Sequence, residues 1–224
     1  MTLPSTDEAG PAACPVCRAV GPGPFVEVEA RIYWRCAACE ATFLEPVQRL
    51  KPDEELAQYR HHENDPDDPR YRAFLSKLAD PLLSRLKPGM AGLDYGCGPG
   101  PALAAILTEA GLSMALYDPF FRDDPKVLRR TYDVITLSEV AEHFFDPTGE
   151  FERLDRLLEP GGWLGVMTCF QTDDGQFASW HYRRDPTHVV FYRARTFEVI
   201  AEQRGWHLEI PHKDVARRQK AAKA

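Results

Sequence analysis

Four of the six cysteines fall in two pairs, Cys14-x2-Cys17 and Cys36-x2-Cys39, with eighteen residues between the pairs. Two residues between thiolates let one tight turn present both sulfurs to the same ion, and two such turns complete a four-coordinate shell. The pattern therefore reads as a structural zinc site, with a redox dithiol or a pair of disulfides as the other uses of the same residues. A shell of four thiolates is closed, so this zinc would not activate water. It would supply folding energy, on the order of 10–16 kcal/mol apparent, to a segment, 1–48, that holds too few large apolar residues for a core of its own. Cys97 and Cys169 stand apart and read as small buried residues.

A second constellation is Asp94-Tyr95-Gly96-Cys97-Gly98-Pro99-Gly100-Pro101. Alternate glycines remove side chains where a backbone must turn tightly and a ligand must come close. Pro101 suits a first helical position, and the N–H groups of a helix start favour an anionic group. Eighteen residues beyond Gly100 stands Asp118, in Leu116-Tyr117-Asp118-Pro119. A carboxylate there can accept both hydroxyls of a ribose; it can also be a strand-terminal turn residue, as Asp before Pro often is. His143 is the candidate general base, because its ordinary pKa lies near neutrality. The same histidine can equally pack and cap a turn. Glu139, Glu142 and His143 would share a face if that segment were helical.

These residues need elements to hold them. Short strands are expected at Phe25–Glu29 and Ile32–Arg35, and a short helix from Pro52. Tyr71, Phe74, Leu75, Leu78, Leu82, Leu83 and Leu86 recur at three and four and mark an amphipathic helix, with Asp80-Pro81 as a kink or a restart. Between the two helices, the polar stretch around His61-His62 is read as a solvated linker rather than a lid. From Met90 the pattern alternates. Strands are expected at 91–95, 113–117, 132–137, 163–169 and, more weakly, 206–210, with helices at 101–110, 148–158 and 196–204. Such alternation argues for a parallel sheet with helices on both faces, binding its ligand at the carboxyl ends of the strands.

With these elements in place the chain resembles the class I S-adenosylmethionine-dependent methyltransferases over about 88–210. The acid followed by Gly-x-Gly-x-Gly is matched by Asp94, Gly96, Gly98 and Gly100, and the ribose acid by Asp118. The strand Tyr132-Asp133-Val134-Ile135 running into Glu139-Val140-Ala141-Glu142-His143, and Leu158-Glu159-Pro160-Gly161-Gly162, match two further signatures. The resemblance implies a cofactor, S-adenosyl-L-methionine. Its methionine portion would cross the glycines, with Asp94 at the amino end, adenine beyond Asp118, and Cys97 and Glu139 among the binding positions. The Glu-x-x-Glu-His string is similar to that of ubiquinone-pathway O-methyltransferases, where it is associated with a divalent metal. The loop differs from the dinucleotide fingerprint Gly-x-Gly-x-x-Gly.

The expected fold is therefore α/β: a Rossmann-like class I methyltransferase sheet, partly reduced, preceded by a small zinc-ribbon module. The divisions are a ribbon over 1–48, a linker and amphipathic helical segment over 49–87, and the methyltransferase domain over 88–224. The sheet is called reduced because only Phe120 to Thr131 separates the second and third strands, where the family usually has a full helix-and-strand unit. Asp123 and Asp124 are the acids nearest the expected adenine position. The acceptor side is expected in Trp180 to Tyr192, where Tyr182, Arg183 and His188 could stack on and hydrogen-bond a planar or anionic acceptor, or where Phe191 and Tyr192 could simply be core.

Composition narrows the function. The 224 residues are 44% hydrophobic and 27% charged, with a formal charge of −7, so the chain is globular rather than disordered. No apolar run reaches the roughly 18 residues of a membrane helix, and no signal peptide is visible; the expectation is a cytoplasmic protein. The leading function is methyl transfer to a small-molecule acceptor, at oxygen by the closest string, with the ribbon serving stability, homodimerisation or acceptor closure. An rRNA or tRNA methyltransferase is the second reading; three basic against six acidic residues in 1–48 leave the ribbon little phosphate-binding surface. The third is a non-catalytic zinc-ribbon adaptor with a ligand-sensing fold.

Overall fold

The computed structural model describes residues 10–61 and 64–222, with ten strands and six α-helices among them. β1 (Gly23–Val28) and β2 (Arg31–Arg35) form a hairpin whose turn residues Glu29 and Ala30 both have left-handed φ, +53° and +63°. A two-residue turn of this hand matches the twist of the strands it joins. β3 (Thr42–Leu44) pairs with β2, setting Phe43 opposite Trp34. α1 (Pro52–Tyr59) starts with proline and carries Asp53, Glu54 and Glu55 in its first turn, the charge its N-terminal N–H groups favour. α2 (Pro69–Leu83) is capped by Asp68, whose carboxylate accepts from the Arg70 amide at 2.9 Å.

The helix does not restart at Asp80-Pro81: α2 runs through Pro81 to Leu83. The Pro81 carbonyl is occupied by the Ser84 hydroxyl at 2.7 Å and by Arg217, and Leu75, Leu78, Ala79 and Leu82 remain buried along one face. The core, not local propensity, keeps this segment helical.

The main sheet has six strands among the described residues, in the order β5-β4-β6-β7-β10-β9. β4 (Ala91–Tyr95), β5 (Ser113–Tyr117), β6 (Tyr132–Ser138) and β7 (Leu158–Met167) are mutually parallel. The hairpin of β9 (His207–His212) and β10 (Val215–Gln219) adds to β7 antiparallel. The central strands are apolar on both sides, as a sheet covered on both faces requires. On one face α2 and α3 (Ala102–Glu109) pack Leu78, Leu82, Leu103 and Leu107 against Val134 and Met167. On the other, α4 (Pro147–Leu157) and α6 (Ala194–Arg204) bring Phe151, Leu154, Phe197 and Ile200. Between β5 and β6 lies only a 3-10 turn, Val127–Arg129, so β5 is an edge strand.

The sheet begun by the cysteine-bearing segment is finished by the other end of the chain. β8 (Val190–Phe191), in the insert after β7, pairs antiparallel with β3 and completes a second sheet of order β1-β2-β3-β8. The insert also carries α5 (His181–Arg184). No helix among the described residues is long and apolar enough to cross a membrane.

Candidate active site

β4 and β5 end side by side, and the turns that follow them interlock. Past Tyr95 the chain bends at Gly96, φ +80°, where a side chain would put its Cβ 2.5 Å from Val140 Cγ2. The amides of Gly96 and Cys97 donate to the Tyr117 carbonyl at 2.8 and 3.1 Å. The Gly98 amide donates to Asp118 Oδ2 at 2.9 Å, while Asp118 Oδ1 accepts from the amides of Phe120 and Phe121 at 2.9 and 3.1 Å. Asp118 thus ties both turns together and lines the same cavity as the glycines. At Gly100 a Cβ would stand 1.8 Å from the Asn64 carbonyl oxygen, so only glycine lets the segment entering α2 cross this loop. Asp94 is 3% exposed and accepts from the Thr136 hydroxyl at 2.8 Å. Burial pushes its carboxyl up to about 6.

The cavity, about 860 Å³, runs from this loop to a polar cluster at its far end. Glu142 is fully buried there. Its Oε1 accepts from the Tyr182 hydroxyl at 2.6 Å, and the Thr168 hydroxyl donates to the Tyr182 oxygen at 2.9 Å. His143 Nδ1 lies 3.1 Å from the Thr187 carbonyl and His188 Nδ1 2.7 Å from the Tyr182 carbonyl. A carbonyl can only accept, so both Nδ1 atoms carry a proton, and in the neutral imidazoles Nε2 presents the lone pair. These Nε2 atoms lie 3.9 and 4.0 Å from Glu142 Oε1. Burial pushes the Asp185 carboxyl up, but the hydroxyl and amide of Thr187, together with the nearby His188 and His143, hold it below the usual range. Burial pushes Glu139 up to about 9, helped by the nearby Glu142, and lowers the pKa of His188.

The helical turn expected to group Glu139, Glu142 and His143 is not formed. β6 ends at Ser138, Glu139 takes φ +54°, and only the 3-10 turn Ala141–His143 follows. Glu139 still lines the cavity, but the groups that cluster are Glu142, His143 and His188. His188 arrives from the insert, so sequence spacing carries no signal of it.

At the ribbon, the four cysteines are buried and their sulfurs all lie within 4.8 Å of one another. Cys14 Sγ and Cys39 Sγ are 3.7 Å apart, and Cys17 Sγ and Cys36 Sγ 3.6 Å. Zinc–sulfur bonds of about 2.3 Å place the corners of a tetrahedron about 3.8 Å apart, so the cluster has zinc-binding spacing, whereas a disulfide would need sulfurs about 2.05 Å apart. The cluster is fastened to the main domain. The Thr148 hydroxyl donates to the Pro15 and Val16 carbonyls at 2.8 and 3.0 Å, Thr196 to the Cys39 carbonyl at 2.8 Å, and Gln203 to the Cys17 carbonyl at 3.0 Å.

Of the residues singled out in the sequence, Asp94, Gly96, Cys97, Gly98, Gly100, Asp118, Glu139, His143, Tyr182 and His188 all border the one cavity. Arg183 does not. Its guanidinium is 1% exposed and donates to Glu29 Oε2 at 3.0 Å, turned toward the ribbon hairpin. Asp123 and Asp124 are exposed and lie outside the cavity lining. His61 is exposed, and His62 falls outside the described residues. Glu55, Tyr59 and Asn64 also line the cavity, unforeseen; the only hint was that α1 is long enough to present a face. The Tyr59 ring meets His143 edge-on, 5.3 Å between centroids.

A parallel sheet whose first two strands end in a glycine turn and a bracing carboxylate, above a cavity reaching the ends of the neighbouring strands, is the architecture of the class I methyltransferases. A family model described as a methyltransferase domain matches residues 59–209, and the chain belongs to that family. Among solved structures, it is similar to 1,6-didemethyltoxoflavin-N1-methyltransferase from Burkholderia thailandensis, solved with 1,6-didemethyltoxoflavin and S-adenosylhomocysteine bound. That match has 16% identity and a TM-score of 0.54, and covers 88% of this chain and 99% of that one. It is also similar to magnesium protoporphyrin IX methyltransferase from Synechocystis PCC 6803, with 14% identity and a TM-score of 0.50 over 67% and 83% of the two chains. At these identities the likeness is one of fold. Ubiquinone biosynthesis O-methyltransferase from Sodalis glossinidius (strain morsitans) is 30% identical over 73 residues, 33% of this chain. The match spans 29% of the length of that relative.

Proposed function

We propose that the protein transfers a methyl group from S-adenosyl-L-methionine to a small-molecule acceptor, with zinc held by Cys14, Cys17, Cys36 and Cys39 as a structural ion. The observation that carries the reading is one cavity with two unlike parts of its wall: a glycine turn braced by Asp118, and the group Tyr182, His143 and His188, with Glu142 buried against it. The residues fit the cofactor. Gly96, Gly98 and Gly100 remove side chains at three positions of the loop, Asp118 keeps one carboxylate lone pair for a ribose hydroxyl beyond the three taken by the amides of Gly98, Phe120 and Phe121, and the buried Asp94 suits an ammonium group. Two fold relatives were solved with S-adenosylhomocysteine bound, which supports the same class of ligand here.

The cofactor would bring an already activated methyl group, so the chain's work is to align the acceptor, exclude water and take up a proton. Tyr59, Phe120 and Tyr182 give aromatic walls to the cavity. His143 and His188 both line the cavity, so the proton of an acceptor hydroxyl would fall to these histidines, which supports an oxygen acceptor. Two of the ribbon's three arginines are occupied, Arg18 by Asp146 at 2.6 Å and Arg35 by Asp174 at 2.7 Å, which favours a small molecule over a nucleic acid. The test is transfer of labelled methyl from S-adenosylmethionine into fractionated metabolite pools. Label in a small-molecule fraction supports the reading; label only in RNA, or none despite cofactor binding, would reject it.

A further inference from the structure

Three acceptor atoms gather where His143 and His188 line the cavity and Glu142 is buried beside them. Glu142 Oε1 and the Nε2 atoms of His143 and His188 lie within 4.8 Å of one another. Each imidazole has spent its proton on a backbone carbonyl, Thr187 or Tyr182, so nothing among the three donates to the others. The 3.9 and 4.0 Å separations are too long for hydrogen bonds in any case. The other oxygen of the fully buried Glu142, Oε2, has no hydrogen-bond partner among the described residues. A buried carboxylate left half-satisfied beside two lone pairs is costly unless a positive charge sits among them.

We infer that Glu142, His143 and His188 form a binding site for a divalent transition-metal ion of the zinc type, distinct from the four-cysteine site. Metal–nitrogen bonds of about 2.0–2.1 Å put neighbouring ligands of a tetrahedral shell about 3.4 Å apart, so each histidine needs to close on Glu142 Oε1, now 3.9 and 4.0 Å away, by only about half an ångström. The anchoring of both Nδ1–H groups on carbonyls is the outer support that histidine ligands ordinarily have, fixing the tautomer that leaves Nε2 free. Tyr182 fixes Glu142 in the same way. Two imidazoles and one carboxylate suit zinc, manganese, iron or cobalt, whereas magnesium and calcium favour oxygen ligands. Three protein ligands leave a fourth position, and two of the three, His143 and His188, line the cavity.

The ligand set is not the Glu139, Glu142 and His143 string. Glu139 sits in left-handed backbone at the strand end and its carboxylate is not part of the cluster, while His188 comes from the insert forty-five residues later. Binding of the ion does not depend on the methyl-transfer reading; its use does, since the ion would occupy the Nε2 lone pairs and an acceptor hydroxyl in the open position would give its proton to solvent water in place of direct uptake by the histidines.

The test is titration of the full chain, its ribbon loaded with zinc, with cobalt(II) alone. The expected result is one further ion per chain, with the weak visible bands of nitrogen and oxygen ligation and no thiolate charge-transfer band. His188→Ala and Glu142→Gln should each weaken that ion about 100-fold or more, beyond the loss usual for an outer-shell change, while Glu139→Gln keeps it. Thermal melting and S-adenosylhomocysteine binding, read on the same samples, report folding and the cofactor end separately. Absence of a second ion in the wild type overturns the site. So does its retention in a folded His188→Ala protein, and so does its loss in Glu139→Gln, which would return the ligands to the contiguous string.

Discussion

Leu44 and Glu142 are joined through one residue: the Leu44 amide donates to the Val189 carbonyl at 2.9 Å, and the Val189 amide donates to the Glu142 carbonyl at 2.9 Å. The ribbon sheet and the polar end of the cavity are therefore parts of one hydrogen-bonded ladder. Because β3 follows directly on the second cysteine pair, an ion holding those cysteines would also hold the register of the strand against Val189. Stripping zinc with a chelator should expose the Val189 amide to fast hydrogen exchange, together with Leu44. The amides of Gly96 and Cys97, bonded to Tyr117 in the main sheet, should keep their protection. Equal loss at both places would mean that the ribbon supports the whole fold rather than this end of the cavity.

Arg183 gives a second handle on the same junction. It is buried, and its ion-pair partner Glu29 lies in the hairpin turn of the ribbon. Glu29→Ala would leave the guanidinium without that partner, and should lower stability by about 1 kcal/mol in denaturant unfolding, moderated by the exposure of the glutamate. An unchanged midpoint would show that the pair holds nothing.

In the proposed placement, Asp94 would make cofactor binding depend on pH. Burial raises its carboxyl to about 6, and the ammonium group of S-adenosylhomocysteine prefers the ionised form. Affinity should thus be level above about pH 7 and fall as pH drops through 6, reaching about tenfold weaker at pH 5. Calorimetry across this range checks the sign. A flat profile, or tighter binding in acid, would place the ammonium elsewhere.

Gly96 tests the loop by shape alone. Alanine there would have to adopt φ +80° and meet Val140, and both effects act against the turn rather than against charge. Gly96→Ala should cost about 1–3 kcal/mol of stability and weaken S-adenosylhomocysteine by tenfold or more, with Val140→Ala relieving the clash but not the backbone strain.

Much of this was legible in advance where the signal is local. Strand ends at Tyr95 and Tyr117 follow from apolar runs stopped by glycine and by Asp-Pro, and the cysteine pairs follow from turn geometry. What was not legible depends on contacts between distant segments. Pro81 stays helical because Leu78 and Leu82 on either side of it are packed under α3. Arg183 looked like a pocket residue because its neighbours Tyr182 and His188 are, yet its side chain leaves on the other side of a four-residue helix. Glu142 escaped notice as the centre of the cluster because a helical period was assumed where a left-handed residue and a 3-10 turn break it. Asn64 was invisible because nothing in its neighbourhood announces that Gly100 will receive its carbonyl.

The reading of the cavity as a sulfonium-nucleoside site stands or falls on Asp118, whose carboxylate both locks Gly98 and faces the cavity. The direct measurement is calorimetric titration of the zinc-loaded protein and of Asp118→Ala with S-adenosylhomocysteine. The account predicts one molecule bound per wild-type chain and a loss of about 10- to 100-fold in the variant, the range for charge-assisted hydrogen bonds removed from a buried carboxylate. No binding to the folded wild type, or equal affinity in the two proteins, would contradict it.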